Sequence, residues 1–409
     1  MIVDTLRSVL RFRRLEFSAA QRRLQKAASI EDLRRMARRR LPGGVFDYID
    51  GGAEDEVAMD RNTRAFRDLE FVPRVLRDMG RVDTTGTILG REVPLPLILA
   101  PTGFTRIAHP AGELAVARAA ARAGLPYSLS TMGTRSVEEV AAVSDGSKWF
   151  QVYVWRDKGL LKDMILRAGE AGFDVLCITV DAAMLGRRER DVRRGFTLPP
   201  KLGLGIVAEA MMRPGWSLRF AFSEPISFAN VAGNADIDGS TAVDLAAFMN
   251  EQFDPALSWN DVEWMRSLWD GPVLIKGVQS VADAAIARDQ GLDGIVLSNH
   301  GGRQLDSAPA VIDLVAPVAD KVGGDLDIVC DGGVRRGGDL VKALALGATS
   351  CMIGRPYLYG LAAAGEEGVD WVIEHLRAGM RRDMALCGAA SIAELRPELV
   401  HRPPRPPGG

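Results

Sequence analysis

The sequence predicts a (β/α)8 barrel, and three observations point to it. Eight short apolar runs, rich in β-branched residues, recur through the middle of the chain. They alternate with amphipathic stretches of helical period. Polar and glycine residues gather just after nearly every run, where barrels of this kind build their sites. A doubly wound open sheet is the alternative that the same alternation allows; the decorated strand ends favour the barrel.

In chain order, residues 1–90 read as a helical extension packing on the barrel. Ser29-Ile-Glu-Asp32 has the form of a helix-starting box, followed by an arginine-rich turn and the breaker Pro42-Gly43-Gly44. A second helical stretch runs from about Val45 to Arg67, interrupted at Gly51-Gly52. The barrel is expected over residues 91–395. Its strands are read at 95–101, 126–130, 148–154, 175–181, 273–278, 294–300, 327–333 and 350–355. Between them, residues 112–124 and 337–347 close on glycine, and Ser136 and Ser280 open helices with a carboxylate three residues on. An insertion after the fourth strand, 186–259, is far longer than an ordinary loop, and its middle is apolar and aromatic. Such a segment serves as a lid, a partner surface or a membrane contact, or else packs as a helix on the barrel. The Pro-rich end, 396–409, is expected to be a flexible tail.

Composition narrows the function. Net charge is −2 over 409 residues, so nothing global points to nucleic acid. Residues 1–40 nevertheless carry a local balance of +8, which suits anionic lipid, an acidic partner or simply a solvated face. Cys177, Cys330, Cys351 and Cys387 lie far apart without a C-x-x-C pair, which argues a reducing compartment and no disulfide framework. No secretory signal and no apolar stretch of membrane-spanning length is found, so a cytoplasmic protein with at most peripheral membrane contact is expected.

Of the four histidines, only His300 directly follows a strand, in Ser298-Asn-His-Gly-Gly-Arg303. An imidazole there suits a base that must accept a proton near neutrality. Arg303 could meet a carboxylate with two parallel hydrogen bonds, and Arg188 is a second candidate. Residues 331–338 (DGGVRRGG) and 353–356 (IGRP) follow strands seven and eight, where barrels bind phosphate; Arg335 and Arg355 would add charge. Lys276, inside an apolar strand, must face an anion or pair with a barrel carboxylate. The stretch 203–208 formally matches a dinucleotide fingerprint but follows no strand, and no Walker motif, metal-ligand spacing or G-x-S-x-G appears.

These residues together resemble the FMN-dependent α-hydroxy-acid dehydrogenase and oxidase family over about residues 30–395. The motifs SNHGGRQLD (298–306), DGGVRRG (331–337), LALGA (344–348) and IGRP stand in that family's order and spacing. The pattern is nearest to the membrane-associated, quinone-linked bacterial L-lactate dehydrogenases. The resemblance implies FMN as cofactor and His300 as the active-site base, with Asp181 as its partner and Tyr153 on the substrate hydroxyl. It implies Arg303, Tyr48 and Arg188 on the substrate carboxylate. The flavin ring would be held by Pro101, Thr102, Gly103, Ser130, Gln151, Thr179 and Lys276, with Ser298 nearby. The phosphate would meet Asp331, Gly333, Arg335, Gly354 and Arg355. Gly103 replaces the alanine of glycolate oxidase, which changes local room and oxygen access beside the flavin without favouring either acceptor; Met132 replaces its tryptophan, which implies a roomier pocket.

The expected reaction is oxidation of an L-2-hydroxy acid, with L-lactate first. Electrons would pass to quinone, and a homotetramer is implied by the resemblance. A mandelate-type substrate, oxygen as acceptor, and a non-redox flavin barrel are the alternatives.

Overall fold

The computed structural model describes residues 16–194, 204–231 and 251–403. Its centre is a closed parallel barrel of β4 (Leu97–Leu99), β5 (Tyr127–Ser130), β6 (Lys148–Tyr153), β7 (Val175–Thr179), β8 (Val273–Val278), β9 (Gly294–Ser298), β10 (Asp327–Asp331) and β11 (Ser350–Ile353). All eight strands fall inside the runs expected from sequence.

Side chains alternate along each strand, so the barrel separates two apolar cores. Val175, Cys177, Leu274, Val296, Val329 and Met352 fill the inside. Leu176, Ile178, Ile275, Ile295 and Ile328 face the helices. The hairpin of β2 (Gly86–Ile88) and β3 (Arg91–Val93) packs Ile88 and Val93 onto the inner core. Its turn donates from Leu89 N–H to Asp327, the first residue of β10. The hairpin thus covers the N-terminal end of the barrel, opposite the strand ends that carry the site residues.

The N-terminal extension supplies α1 (Ala19–Leu24), α2 (Ile30–Arg40), α3 (Gly43–Asp50) and α4 (Val57–Arg67). Ser29 caps α2 through Asp32 N–H. Around the barrel follow α5 (Gly112–Ala123), α6 (Val137–Ala141), α7 (Lys158–Glu170), α8 (Glu189–Arg194), α9 (Leu204–Met211) and α10 (Pro214–Ala221). Then come α11 (Trp259–Arg266), α12 (Val281–Asp289), α13 (Val311–Val322), α14 (Gly337–Ala345), α15 (Arg355–Ala364) and α16 (Glu366–Cys387). Arg23 and Arg40, from α1 and α2, donate to the carbonyls of Ala363 and Ala362, at the C-terminal end of α15. Cations at that end of a helix meet its unpaired carbonyls and its dipole. The extension is thereby tied to the helix that follows the last strand.

Two expectations need adjusting. The C-terminal segment does not fray from residue 396: Leu399 is buried, and β12 (Val400–His401) pairs antiparallel with β1 (Glu70–Phe71). Its partner lies more than 300 residues away, beyond the reach of a local reading. The Pro-rich remainder, 404–409, and the first fifteen residues lie outside the described residues. In the insertion, the reading of a helix packed on the barrel holds for one face. Trp216 donates to Ile107 O at 2.8 Å and stacks on Phe220, so the inner face of α10 packs on the barrel. Met211, Met212, Leu218 and Phe222 face outward and are exposed.

Candidate active site

One cavity opens at the C-terminal end of the strands, lined by strand ends and following loops from β4 to β11 and by Tyr48 from α3. Sixteen of the nineteen site residues expected from sequence line it; Asp181, Ser130 and Ser298 stand immediately behind, bonded to residues that do.

His300 sits two residues past the end of β9, and its Nδ1 lies 3.0 Å from Asp181 Oδ1. Asp181 is two residues past β7, and its carboxylate is almost wholly buried. Burial pushes its pKa up, but the charges of His300 and Lys276 outweigh this and hold it below the usual carboxylate range. The pairing orients the imidazole and leaves Nε2 for a ligand. Gly277 makes the approach possible: it has φ +109, and a Cβ there would stand 2.5 Å from Asp181 Cβ.

Lys276 is both paired and at the cavity. Its Nζ lies 2.9 Å from Asp331 Oδ2 and donates to Ser298 Oγ at 3.0 Å. Burial would lower its pKa, yet Asp331 and Asp181 more than offset that and keep it charged. Ser298 Oγ donates to Asp331 at 2.8 Å and accepts from His300 N–H at 3.0 Å. Asp331, expected beside a phosphate, therefore belongs to the lysine end of the cavity. Physically this is reasonable, since a carboxylate repels phosphate.

Arg303 donates to Tyr48 O at 2.7 Å, and its guanidinium lies 5.1 Å from the Tyr48 ring centre. Arg188 stands at the same distance from that ring. Burial, with Arg188 beside it, pushes the Arg303 pKa down to about 10. Two mutually repelling cations around one tyrosine make a subsite for an anion. Tyr153, close to His300 with ring centres 6.4 Å apart, has its hydroxyl pKa raised by burial and by Asp181, so it stays protonated and can donate.

The remaining lining suits a flat ring joined to a phosphate. Pro101, Thr102 and Gly103 form the wall after β4. Gln151 accepts from Ser130 Oγ at 2.9 Å and donates to Thr179 Oγ1 at 2.8 Å, which fixes its amide. Gly333 and Gly354 bring backbone to the surface beside Arg335 and Arg355. Arg355 donates to Gly301 O and Gly51 O, while its Nε is buried without a partner. An anion there would satisfy it.

Sequence reading missed several residues that build this site. Gln304 donates to Asp181 O and accepts from Gly186 N–H, joining the loops after β7 and β9. Asp50 binds Arg34, Arg190 and Tyr359 under the cavity rim. Phe253, returning from the insertion, packs edge-on against Tyr153. Only Gln304 carried a signal, its nearness to Arg303; the others depend on contacts between distant segments.

Comparison with known proteins agrees with this geometry. Residues 37–402 match the model of the FMN-dependent dehydrogenase family. A Mycobacterium tuberculosis protein provisionally named an L-lactate dehydrogenase is 46% identical over 399 residues, 97% of this chain and 95% of that one. Glycolate oxidase 1 of Oryza sativa subsp. indica is 40% identical, covering 90% of this chain and 94% of its own. The crystal structure of the monotopic membrane protein (S)-mandelate dehydrogenase superposes with a TM-score of 0.89 at 39% identity, over 93% of this chain and all of that one. With a closed barrel, a paired histidine, an arginine subsite and glycine-rich loops at its strand ends, this chain belongs to the FMN-dependent dehydrogenase family.

Proposed function

We propose that the chain oxidises L-lactate to pyruvate and passes the electrons to a membrane quinone. The reaction class, FMN-dependent oxidation of a 2-hydroxy acid, follows from the family and its relatives. The observation that carries the reading is the convergence of the His300–Asp181 pair with Arg303 and Arg188 on one cavity.

FMN fits the lining: Gln151, Lys276 and the Pro101–Gly103 wall would hold its ring, and Gly333, Arg335, Gly354 and Arg355 its phosphate. Once bound, it supplies the two-electron acceptor. The chain's own residues do the rest. Arg303 and Arg188 hold the substrate carboxylate, and Tyr153 donates to its hydroxyl. His300 Nε2 accepts a proton from the substrate as the keto acid forms. Asp181 stabilises the resulting imidazolium, and Lys276 provides fixed positive charge where negative charge develops.

A larger substrate is the second reading. Met132 and Leu358 line the cavity, and flexible or aliphatic walls could take an aromatic 2-hydroxy acid. Similarity to (S)-mandelate dehydrogenase favours testing it. For the acceptor, support comes from the exposed apolar face of α10 and the basic N-terminal segment, which together suit a peripheral site on an anionic bilayer where quinones dissolve. No helix among the described residues is long and apolar enough to cross a membrane.

Anaerobic titration of the FMN-loaded protein tests the reading. L-lactate should bleach the flavin band, and air should restore it slowly. Bleaching by (S)-mandelate alone would move the substrate to the second reading, and rapid recolouring would favour oxygen. His300→Ala should retain FMN and lose flavin reduction; normal turnover by that variant would remove His300 from the mechanism.

A further inference from the structure

We infer that Asn62, on the N-terminal extension, is a positioning residue for the base: with Asn299 it locks the turn that carries His300. The inference rests on the reading of His300 as the base. His300, Gly301 and Gly302 have φ of +56°, +66° and +73°, three successive left-handed residues. Glycine adopts that conformation freely, but a histidine does so only when its surroundings impose it.

What imposes it is a pair of buried amides. Gly302 N–H donates to Asn299 O at 2.9 Å and lies 3.1 Å from Asn299 Oδ1. Asn299 Nδ2 donates to Asn62 Oδ1 at 2.9 Å and to Pro309 O at 2.9 Å. Asn62 Nδ2 returns a bond to Asn299 Oδ1 at 2.8 Å. Val311 N–H, 3.3 Å from Asn62 Oδ1, completes the set. Each oxygen thus receives a backbone N–H as well as the partner amide, so neither amide can be flipped without setting donor against donor. Both side chains are almost fully buried, which shields their hydrogen bonds from solvent.

Asn62 also spans two loops. A Cβ on Gly333 would stand 2.3 Å from Asn62 O, so helix α4 is wedged between the histidine turn and the glycine loop after β10. The extension therefore sets the spacing of base and phosphate loop, and does more than cover the barrel.

The test uses Asn62→Ala and Asn62→Asp in the FMN-loaded full chain, beside the parent and His300→Ala. Anaerobic flavin reduction is measured per bound flavin with whichever of L-lactate or (S)-mandelate reduces the parent. Amide hydrogen exchange is followed over residues 299–311. A misplaced base is expected to slow reduction by ten- to about a hundredfold at saturating substrate, with KM little changed. Exchange at Gly302 and Val311 should accelerate while the barrel strands stay protected. Asn62→Asp keeps an acceptor for Val311 but faces Asn299 Oδ1 with an oxygen, so it decides the matter if the alanine variant does not fold. Reduction within threefold of the parent, or unchanged exchange, overturns the inference. Normal turnover by His300→Ala would instead overturn the reading of the base.

Discussion

At the scale of single residues, the two arginines of the cavity differ in how firmly they are held. Arg303 donates to the Tyr48 and Gly51 carbonyls, so its planar fork is fixed before substrate arrives. Arg188 contacts Asp191 at 3.3 Å from Nε and rests beside Tyr48. A lysine at 303 would keep the charge and lose the fork. Arg303→Lys should therefore raise KM for the hydroxy acid by roughly ten- to a hundredfold while FMN remains bound, given about 1.4 kcal/mol per tenfold. Steady-state kinetics with matched flavin content checks this; an unchanged KM would transfer the carboxylate to Arg188. Gly103 makes a related point about room. A Cβ there would stand 2.9 Å from Met132 Cβ, so alanine would move a second lining residue as well as occupy space itself.

At the scale of elements, α10 has one side anchored on the barrel and another exposed. Trp216 is anchored on the barrel, whereas Leu218 in α10 and Phe222 just past its end, four residues apart, are exposed. The segment is pinned at its far end by Arg106, which donates to the carbonyls of Glu224 and Pro225. An apolar stripe held rigidly in water exposes area that a bilayer would cover, worth about 25 cal/mol per Å². Leu218→Glu with Phe222→Glu should weaken sedimentation with anionic vesicles by tenfold or more, yet leave flavin reduction by substrate unchanged. Equal sedimentation would show that this stripe does not contact the membrane.

At the scale of the whole molecule, Asp50 joins three separate parts of the chain. Its carboxylate, nearly inaccessible to solvent, accepts from Arg34 in α2, Arg190 in α8 and Tyr359 in α15. Burial would raise its pKa, but Arg34 and Tyr359 outweigh burial and bring it down to about 2. A depressed carboxylate stabilises the fold above its unfolded pKa, and that contribution is lost as pH falls through the folded value. The contribution here is roughly 2 kcal/mol above about pH 4. Asp50→Asn should lower Tm across neutral pH, with the gap to the parent narrowing as pH drops from about 4 toward 2. A gap independent of pH would show that the carboxylate's charge is not what matters.

Much of the barrel was legible because its signals are local. Strand period, terminal glycines and the capping serines at 29, 136 and 280 each depend on a few neighbouring residues. The candidate site was legible for the same reason: His300, Arg303, Lys276 and the two glycine loops lie at strand ends, where barrel topology alone brings them together. Asp181 came only through the family resemblance, since nothing local distinguishes it from any other aspartate after a strand. Asp331 shows the limit of reading by loop, because its position suggested phosphate while its nearest cation is Lys276.

By itself, then, the sequence determined the barrel, the order of its strands, the resemblance to an FMN-dependent family and the residues gathered at one end. Those follow from periodicity and from motifs short enough to be read in place. Only the tertiary structure decided which of these residues are held and by what. Pairings such as His300 with Asp181, Asn62 with Asn299, Asp50 with Arg190 and Tyr359, and β12 with β1 join segments from 119 to more than 300 residues apart. No local pattern records such contacts, because their energy exists only once the chain has closed.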